Sequence, residues 1–597
     1  MKKNSIHIMK RTQLIIGCFV FLFGFSISAK ENITMPGATT VVYPKIASGC
    51  APSSSQTDLD INNVRTTIMG GGDMWWNLDD ARYEIPKDGN RHSMFAGALW
   101  IGGVDAGGQL KVAAMTYRQG GNDFWPGPLT ATAITDAYSC SQWDQHFKIN
   151  RSEVEEHVNK WQTDLQYRND PDNYPEAVKE WPAHPQSVDG TVPGADYYLA
   201  PFYDYNGDGE YFPLDGDYPD YNITGDNDQA KLYGDQTLYW IFNDKGNIHT
   251  ESEAEPLGLE IRAQAFGFTA DNEVNDMTFY NYQIINKSTI PLEDTYFGQW
   301  VDPDLGFYLD DYVGCDVGLG LGFCYNGDAE DEGANGYGYT PPAIGVDFFQ
   351  GPLADPGDGI DNDRDGTIDE VGEEIIMSKF VYYNNDFTVI GNPSQATHFY
   401  NYLRGIWKDN VPMTWGGDGH GSGQGSTNDL CNFMFPGTSD PAFPGQEWTE
   451  VTAGNAPADR RFLQSAGSFT LQPGAVNEIT TGVVWARAST GGNTASVALV
   501  KIYDKEAQAL FDNNFNILNG PDAPDLDILE LENELIITLS NKASSNNATL
   551  DPVTGELITE VYSEKDPYIT KPINILNNPD YKFQGYLVYQ LKDATVS

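Results

Sequence analysis

Leu259-Glu260-Ile261-Arg262-Ala263-Gln264-Ala265, followed after a short polar stretch by Thr278-Phe279-Tyr280-Asn281-Tyr282-Gln283-Ile284-Ile285, decides the fold class. In the first run Leu259, Ile261, Ala263 and Ala265 alternate with Glu260, Arg262 and Gln264. A period of two is that of a strand with one face in a core and the other toward solvent. The second run is aromatic and β-branched, and Asn286-Lys287-Ser288 supplies the turn that ends it. Further along, Thr470 to Ala488 reads as two more strands, with Pro473-Gly474 as the turn between Phe469-Thr470-Leu471 and Val483-Val484-Trp485. Helical signals are few. Ser152-Glu153-Val154-Glu155 reads as a capping box opening a short helix that runs to about Leu165. Thr494 to Phe511 places Val497, Val500, Ala507, Leu510 and Phe511 on one helical face. The chain is therefore expected to be mainly β, a multi-domain set of β-sandwiches with long Gly/Asp-rich loops and few short helices.

A chain of 597 residues is too long for one core, so several domains are expected. The expected division is a β-rich domain over residues 30–250, a β-sandwich domain with a terminal helix over 251–518, and a last segment over 519–597. Acidic residues outnumber basic ones 85 to 35, for a net charge of −50 and a pI near 4.2. Such a surface repels nucleic-acid phosphates and anionic membranes and argues against both as partners. The 33 Tyr, 29 Phe and 13 Trp argue against disorder, because rings in that number need a core.

Residues 1–29 read as an export signal. Lys2, Lys3, Lys10 and Arg11 precede the apolar run Leu14 to Phe25, and Ser26, Ser28 and Ala29 supply small residues for cleavage near Ala29. Ile15-Ile16-Gly17-Cys18 faintly resembles a lipoprotein box, but cleavage there would leave Phe19 to Phe25 on the mature chain. No later stretch is apolar enough to span a bilayer, so the expected location is secreted, extracellular or cell-surface, with no membrane insertion after signal removal. Cys50, Cys140, Cys315, Cys324 and Cys431 follow the signal. An odd number leaves at least one thiol free or paired with another chain, and Cys315 and Cys324 are close enough in sequence to close a small loop.

Two loops carry metal-ligating chemistry. In Asp204-Tyr205-Asn206-Gly207-Asp208-Gly209-Glu210, oxygens fall at positions 1, 3 and 5 (Asp204, Asn206, Asp208), a glycine at 6, the Glu210 carbonyl at 7 and Asp215 at 12. Calcium takes six to eight hard oxygens at this kind of spacing, and the glycine permits the sharp turn. An aspartate at position 12 resembles dockerin-type loops more than EF-hands. The second loop repeats the spacing with Asp361, Asp363 and Asp365, then Gly366, the Thr367 carbonyl and Asp369. Its position 12 is Gly372, so a closing carboxylate must come from Glu370, Glu373 or elsewhere. Carboxylates this crowded repel one another unless a cation sits among them, and calcium is the expected cofactor. A plain Asp/Asn/Gly turn is the alternative for either loop. In a third, looser group Asp302 and Asp304 are placed to share a cation with Asp310 or Asp311 across a turn, with a plain solvated loop as the alternative.

Other chemistry is weakly signalled. Trp75-Trp76, Trp100, Phe124-Trp125 and Trp143 stand among Gly and Asp, a composition able to stack on sugar rings, although burial preference favours a core role. His398 and His420 stand alone, and there is no HExxH helix or GxSxG elbow. Gly416 to Thr427 (GGDGHGSGQGST) lacks the Gly-Lys-Ser/Thr ending of a phosphate loop and reads as a flexible loop.

Several segments resemble a largely uncharacterised group of large secreted or cell-surface proteins of Bacteroidetes-type bacteria, which commonly use type IX secretion. They are Gly71-Gly72-Asp73-Met74-Trp75-Trp76, Leu99-Trp100-Ile101-Gly102-Gly103-Val104-Asp105, Asp123-Phe124-Trp125-Pro126-Gly127-Pro128-Leu129 and Asp310 to Asp316 (DDYVGCD), with Phe349-Gln350-Gly351-Pro352 and Phe469 to Gly474 (FTLQPG) further on. The Asp358 to Glu370 loop is similar to metal-binding loops of secreted bacterial proteins. From Asp522-Ala523-Pro524, through Leu535-Ile536-Ile537-Thr538-Leu539, to Phe583-Gln584-Gly585-Tyr586-Leu587-Val588-Tyr589, the last segment resembles the first half of a fibronectin type III domain, as if truncated. The resemblance implies location and architecture more than activity. The function expected is that of a calcium-binding structural or adhesion protein, glycan-associated in one form, with carbohydrate or other surface proteins as partners. A carboxylate-dependent polysaccharide hydrolase, or an accessory part of a secretion or motility apparatus, is the alternative.

Overall fold

The computed structural model describes residues 48–188, 194–223, 229–515, 523–531, 534–543, 545–551, 554–565 and 580–586. The expected export signal and the Leu587 to Tyr589 end of the last expected strand lie outside them.

Two antiparallel sheets carry the fold. The first runs in the order Lys379–Asn384, Arg460–Leu471, Leu292–Asp302, Ala96–Asp105, Asp73–Met74, Arg65–Met69, Tyr83–Glu84, His92–Met94. The second runs Asp311–Asp316, Leu321–Asn326, Ala343–Gln350, Val476–Ala486, Thr278–Asn286, Leu259–Gly267, Gln236–Asn243, Trp125–Pro126. The expected strands at 259–265, 278–285 and either side of Pro473-Gly474 are all present in the second sheet or between the two. Both sheets draw strands from either side of residue 250: Ala96–Asp105 pairs with Leu292–Asp302, and Gln236–Asn243 with Leu259–Gly267. A boundary at residue 250 therefore divides neither sheet from the other.

The facing surfaces of the two sheets share one aromatic core. Trp75, just after Asp73–Met74, meets Tyr280 with ring centroids 6.1 Å apart, and Phe297 of the first sheet meets Tyr282 and Phe348 of the second at 6.1 and 5.8 Å, while Trp100 and Trp300 stack on the other face of the first sheet against Phe399. Each such ring buries about 150–250 Å², worth roughly 4–6 kcal/mol before entropy is counted. Their polar atoms are matched: Trp75 Nε1 donates to Tyr280 Oη at 2.9 Å and Trp300 Nε1 to Tyr383 Oη at 2.6 Å. Trp76, Trp125 and Trp143 are buried as well. These tryptophans are core residues, and sugar stacking is not available to them.

On the outer face of the second sheet lies the helix Asn493–Asp512, which buries Ser496, Val500, Asp504, Ala507 and Leu510. It packs on Phe266, Phe279 and Val484. Described residues of the 137–223 region pack on Tyr239 and Ile241 of the second sheet in a third core that includes Trp143 and Trp181. Its main helix, Arg151–Thr163, starts two residues earlier than the capping reading placed it. Asn150 is the N-cap, and Glu153 closes the start by accepting from the Asn150 N–H at 3.1 Å. Cys50 and Cys140 form a disulfide, whereas Cys315, Cys324 and Cys431 are buried free thiols. The Cys315–Cys324 loop is not formed; the strand register sets Cys315 opposite Gly322 and Cys324 opposite Val313.

Gly416 to Thr427, expected to be a flexible loop, folds back on itself, with Ser426 Oγ donating to the Gly416 carbonyl at 2.9 Å. Beyond residue 522 the described strands pair only locally, Asp525–Glu530 with Leu535–Ser540, Ala548–Leu550 with Leu557–Thr559, and Ser563–Lys565 with Asp580–Lys582. Among the described residues no ladder joins these hairpins into a fibronectin-type sheet.

Candidate metal centres

The loop at 204–217 is organised by its own backbone. Asp204 accepts from the Gly207 and Gly209 N–H groups at 2.6 and 2.7 Å, Asn206 from the Asp208 N–H at 2.9 Å, and Asp208 from the Glu210 N–H at 2.8 Å. Gly207 and Gly209 take φ of 76° and 81°, which only glycine adopts without strain. Glu210 accepts from the Tyr197 hydroxyl. Asp215, the expected closing ligand, lies exposed in the short 3₁₀ turn Pro213–Asp215. The acid turned into the loop is Asp217, fully buried, accepting from the Tyr205 and Phe212 N–H groups at 2.9 and 2.8 Å. Burial, followed by Asp204 and Asp208, pushes its carboxyl above the ordinary range despite those two bonds. Sequence spacing missed Asp217 because it stands at position 14, outside the twelve-residue pattern.

The loop at 358–373 repeats three of those bonds, with Asp361 and Asp363 accepting from the Gly366 and Asp365 N–H groups at 3.2 and 3.0 Å and Asp365 from Thr367, but it crowds its acids more closely. Carboxylate oxygens of Asp361, Asp363 and Asp365 lie within 4.8 Å of one another, and so do those of Asp363, Glu370 and Glu373. Asp363 is common to both sets. Two oxygens, Asp361 Oδ1 and Glu370 Oε2, are buried and carry no hydrogen bond. Glu370 has a backbone hydrogen bond that lowers its pKa, yet burial and the acids Glu373, Asp363 and Asp365 hold it above the ordinary value. The Glu373 side chain, 6 % exposed, accepts from the Asn362 N–H. Thr367 donates its N–H to Asp365 at 2.7 Å. Asp369 is drawn away from the others and accepts from the Gly359 N–H at 3.0 Å. Arg364, in the middle of the loop, reaches out of it to the Val317 and Met377 carbonyls at 3.1 and 2.6 Å and so pins the loop to the sandwich.

The third group is reorganised by the fold. Asp302 and Asp304 converge with Asp459, 155 residues away from Asp304, to within 4.8 Å. Asp310 and Asp311, the expected partners, are not part of that set. Asp302 Oδ2 accepts from the Tyr117 hydroxyl at 2.6 Å and from Arg461 at 3.3 Å, while Oδ1 has no partner. Burial raises the Asp302 carboxyl to about 7, with Arg461 opposing and Asp459 reinforcing the shift. Three carboxyls thus face one guanidinium, a set that takes up either protons or a cation.

Two further constellations had no clear sequence signal. Under the long helix, Asp347 and Asp504 lie close enough to share a proton; burial raises Asp347 to about 8 and lifts Asp504 as well. In the Gly416 to Thr427 turn, Ser422 Oγ meets His420 Nδ1 at 2.7 Å and His420 Nε2 meets Asp409 at 3.0 Å. That is the order of a serine–histidine–aspartate relay, but the Ser422 backbone N–H also donates to the same Nδ1 at 3.2 Å. The imidazole thereby closes a turn. A His-x-Ser pair in a Gly-rich stretch is the only trace of it in the sequence.

Among the described residues no helix is long and apolar enough to cross a membrane. No protein-family model matches the chain, and no curated protein is significantly similar to it.

Proposed function

We propose that the chain is a secreted or cell-surface structural or adhesion protein whose acidic loops hold calcium. The observation that carries this reading is the 358–373 loop, where two triads of carboxylates share Asp363 and leave Asp361 Oδ1 and Glu370 Oε2 without protein donors. Five carboxylates gathered as two overlapping triads suit calcium, which accepts irregular coordination, better than magnesium, which demands a small octahedron. The 204–217 loop offers a second, weaker site. Burial of a disulfide between Cys50 and Cys140 accords with the oxidising compartment that an export signal implies. The resemblance to exported Bacteroidetes-type proteins supports the same location.

A cation that binds only the folded chain stabilises it by mass action, about 2.7 kcal/mol at one hundred times Kd. EDTA should lower the melting temperature by several degrees, and calcium should restore it where equal magnesium does not. Calorimetry of the purified protein with elemental analysis checks this; a metal-free sample that melts identically in EDTA and in calcium would falsify it.

A further inference from the structure

The outer face of the second sheet changes character along its strands. Where the helix Asn493–Asp512 covers it, the outward residues are Phe266, Phe279 and Val484. One to three residue pairs further along the same strands they become Arg262 and Gln264, Asn281 and Gln283, and Glu478. The register sets Arg262 opposite Gln283, Gln264 opposite Asn281, and Gln283 opposite Glu478, so these side chains form one patch. The patch floors a cleft of about 400 Å³ walled by Tyr198, Phe202, Tyr233 and Tyr239. We propose that this cleft binds a neutral oligosaccharide. The inference rests on the adhesive part of the function proposed above and not on the cation.

The amides are held in fixed orientations. Gln283 Nε2 donates to Glu478 at 2.9 Å, Asn281 Nδ2 to Thr480 Oγ1 at 2.9 Å, and Gln264 Nε2 to the Lys231 carbonyl at 2.8 Å. Gln264 Oε1, in a residue 6 % exposed, has no partner. Planar amides fixed in this way present donors and acceptors at the spacing of vicinal hydroxyls, at little entropic cost on binding. Tyr198 is 54 % exposed and lies against Phe202, with ring centroids 6.3 Å apart, which offers flat apolar surface to the C–H face of a sugar ring. Charges in the lining balance, Arg262 and Lys231 against Asp204 and Glu478. A balanced site on a chain of net charge −50 favours a neutral ligand over a polyanion. The two acids are not poised for hydrolysis: both Asp204 oxygens accept backbone N–H groups, and Glu478 is bonded to Gln283.

The aromatic wall leans on the first acidic loop. A Cβ built at Gly209 would stand 2.8 Å from the Tyr198 hydroxyl, and Tyr197 donates to Glu210. The test is titration calorimetry of the full chain in calcium against cellohexaose, mannohexaose, maltohexaose, xylohexaose and chitohexaose, with hexagalacturonate as the anionic probe. At least one neutral hexasaccharide should bind with a Kd on the order of 10 μM to 1 mM. Tyr198→Ala and Gln283→Ala should each weaken it about tenfold or more while melting as the parent does. Binding by none of the neutral probes, binding only by hexagalacturonate, parent-like binding by both variants, or release of new reducing ends would overturn the proposal. Repeating the titration in EDTA separates the two readings. Sugar binding with a cation-indifferent melting temperature sinks only the calcium proposal, and a cation-dependent melting temperature without sugar binding sinks only this one.

Discussion

The two acidic loops begin from nearly the same spelling and end in different electrostatic states. In 204–217 the carboxylates are used up by the loop's own N–H groups, and a buried acid from outside the expected pattern, Asp217, ties both ends together. In 358–373 the loop's N–H groups reach one oxygen each of Asp361, Asp363 and Asp365, but the acids also face one another and two buried oxygens have no donor. Spacing therefore places carboxylates on a turn, but the count of N–H groups left to satisfy them decides how much negative charge stays uncompensated.

The comparison is most exposed at Asp217. Asp217→Ala strands two backbone N–H groups in a buried place, and equilibrium denaturation should show a loss of about 2–4 kcal/mol, with or without calcium. Next is the chelation response. Because Asp363 belongs to both triads, Asp363→Asn should abolish most of the EDTA-induced fall in melting temperature, whereas Asp204→Asn should keep most of it. Equal responses in the two variants would mean that the loops share the cation load and that the contrast is wrong.

A proton offers a third way to settle crowded acids, and the Asp347–Asp504 pair uses it. Folding raises these pKa values above the ordinary 3.8, so the folded chain holds the extra proton. The stability they contribute is complete below pH 3.8 and declines as pH rises toward about 8. In calcium-saturated buffer the melting temperature should fall between pH 5 and 8, and Asp347→Asn should flatten that slope; an unchanged slope would show that other acids set it. The smallest effect is expected at Asp215, whose replacement by Ala should change stability by less than about 0.5 kcal/mol.

Much of this was legible in the sequence, for identifiable reasons. Leu259 to Ala265 and Thr278 to Ile285 announce themselves because alternation is a local property, and the Asp361-x-Asp363-x-Asp365 run does so because its ligands are neighbours on the chain. The wiring was not legible. Nothing local says that Ala96–Asp105 lies beside Leu292–Asp302, or that Asp459 joins Asp302 and Asp304. The cleft was hidden for the same reason, since Gln264, Asn281 and Glu478 meet only after three strands have taken register. Asp217 escaped because a borrowed twelve-position template stopped short of it.

The interleaving of the first sheet governs how the molecule comes into being. Ala96–Asp105 must wait for Leu292–Asp302, which in turn is flanked by Arg460–Leu471. At ordinary synthesis rates the early strand has an open flank for roughly 10–40 s before Leu292–Asp302 arrives, and Leu292–Asp302 then waits in turn for Arg460–Leu471. A chain wired this way has no safe place to be cut short before Ala486. Neither sheet has its full set of neighbours until Arg460–Leu471 and Val476–Ala486 have been made.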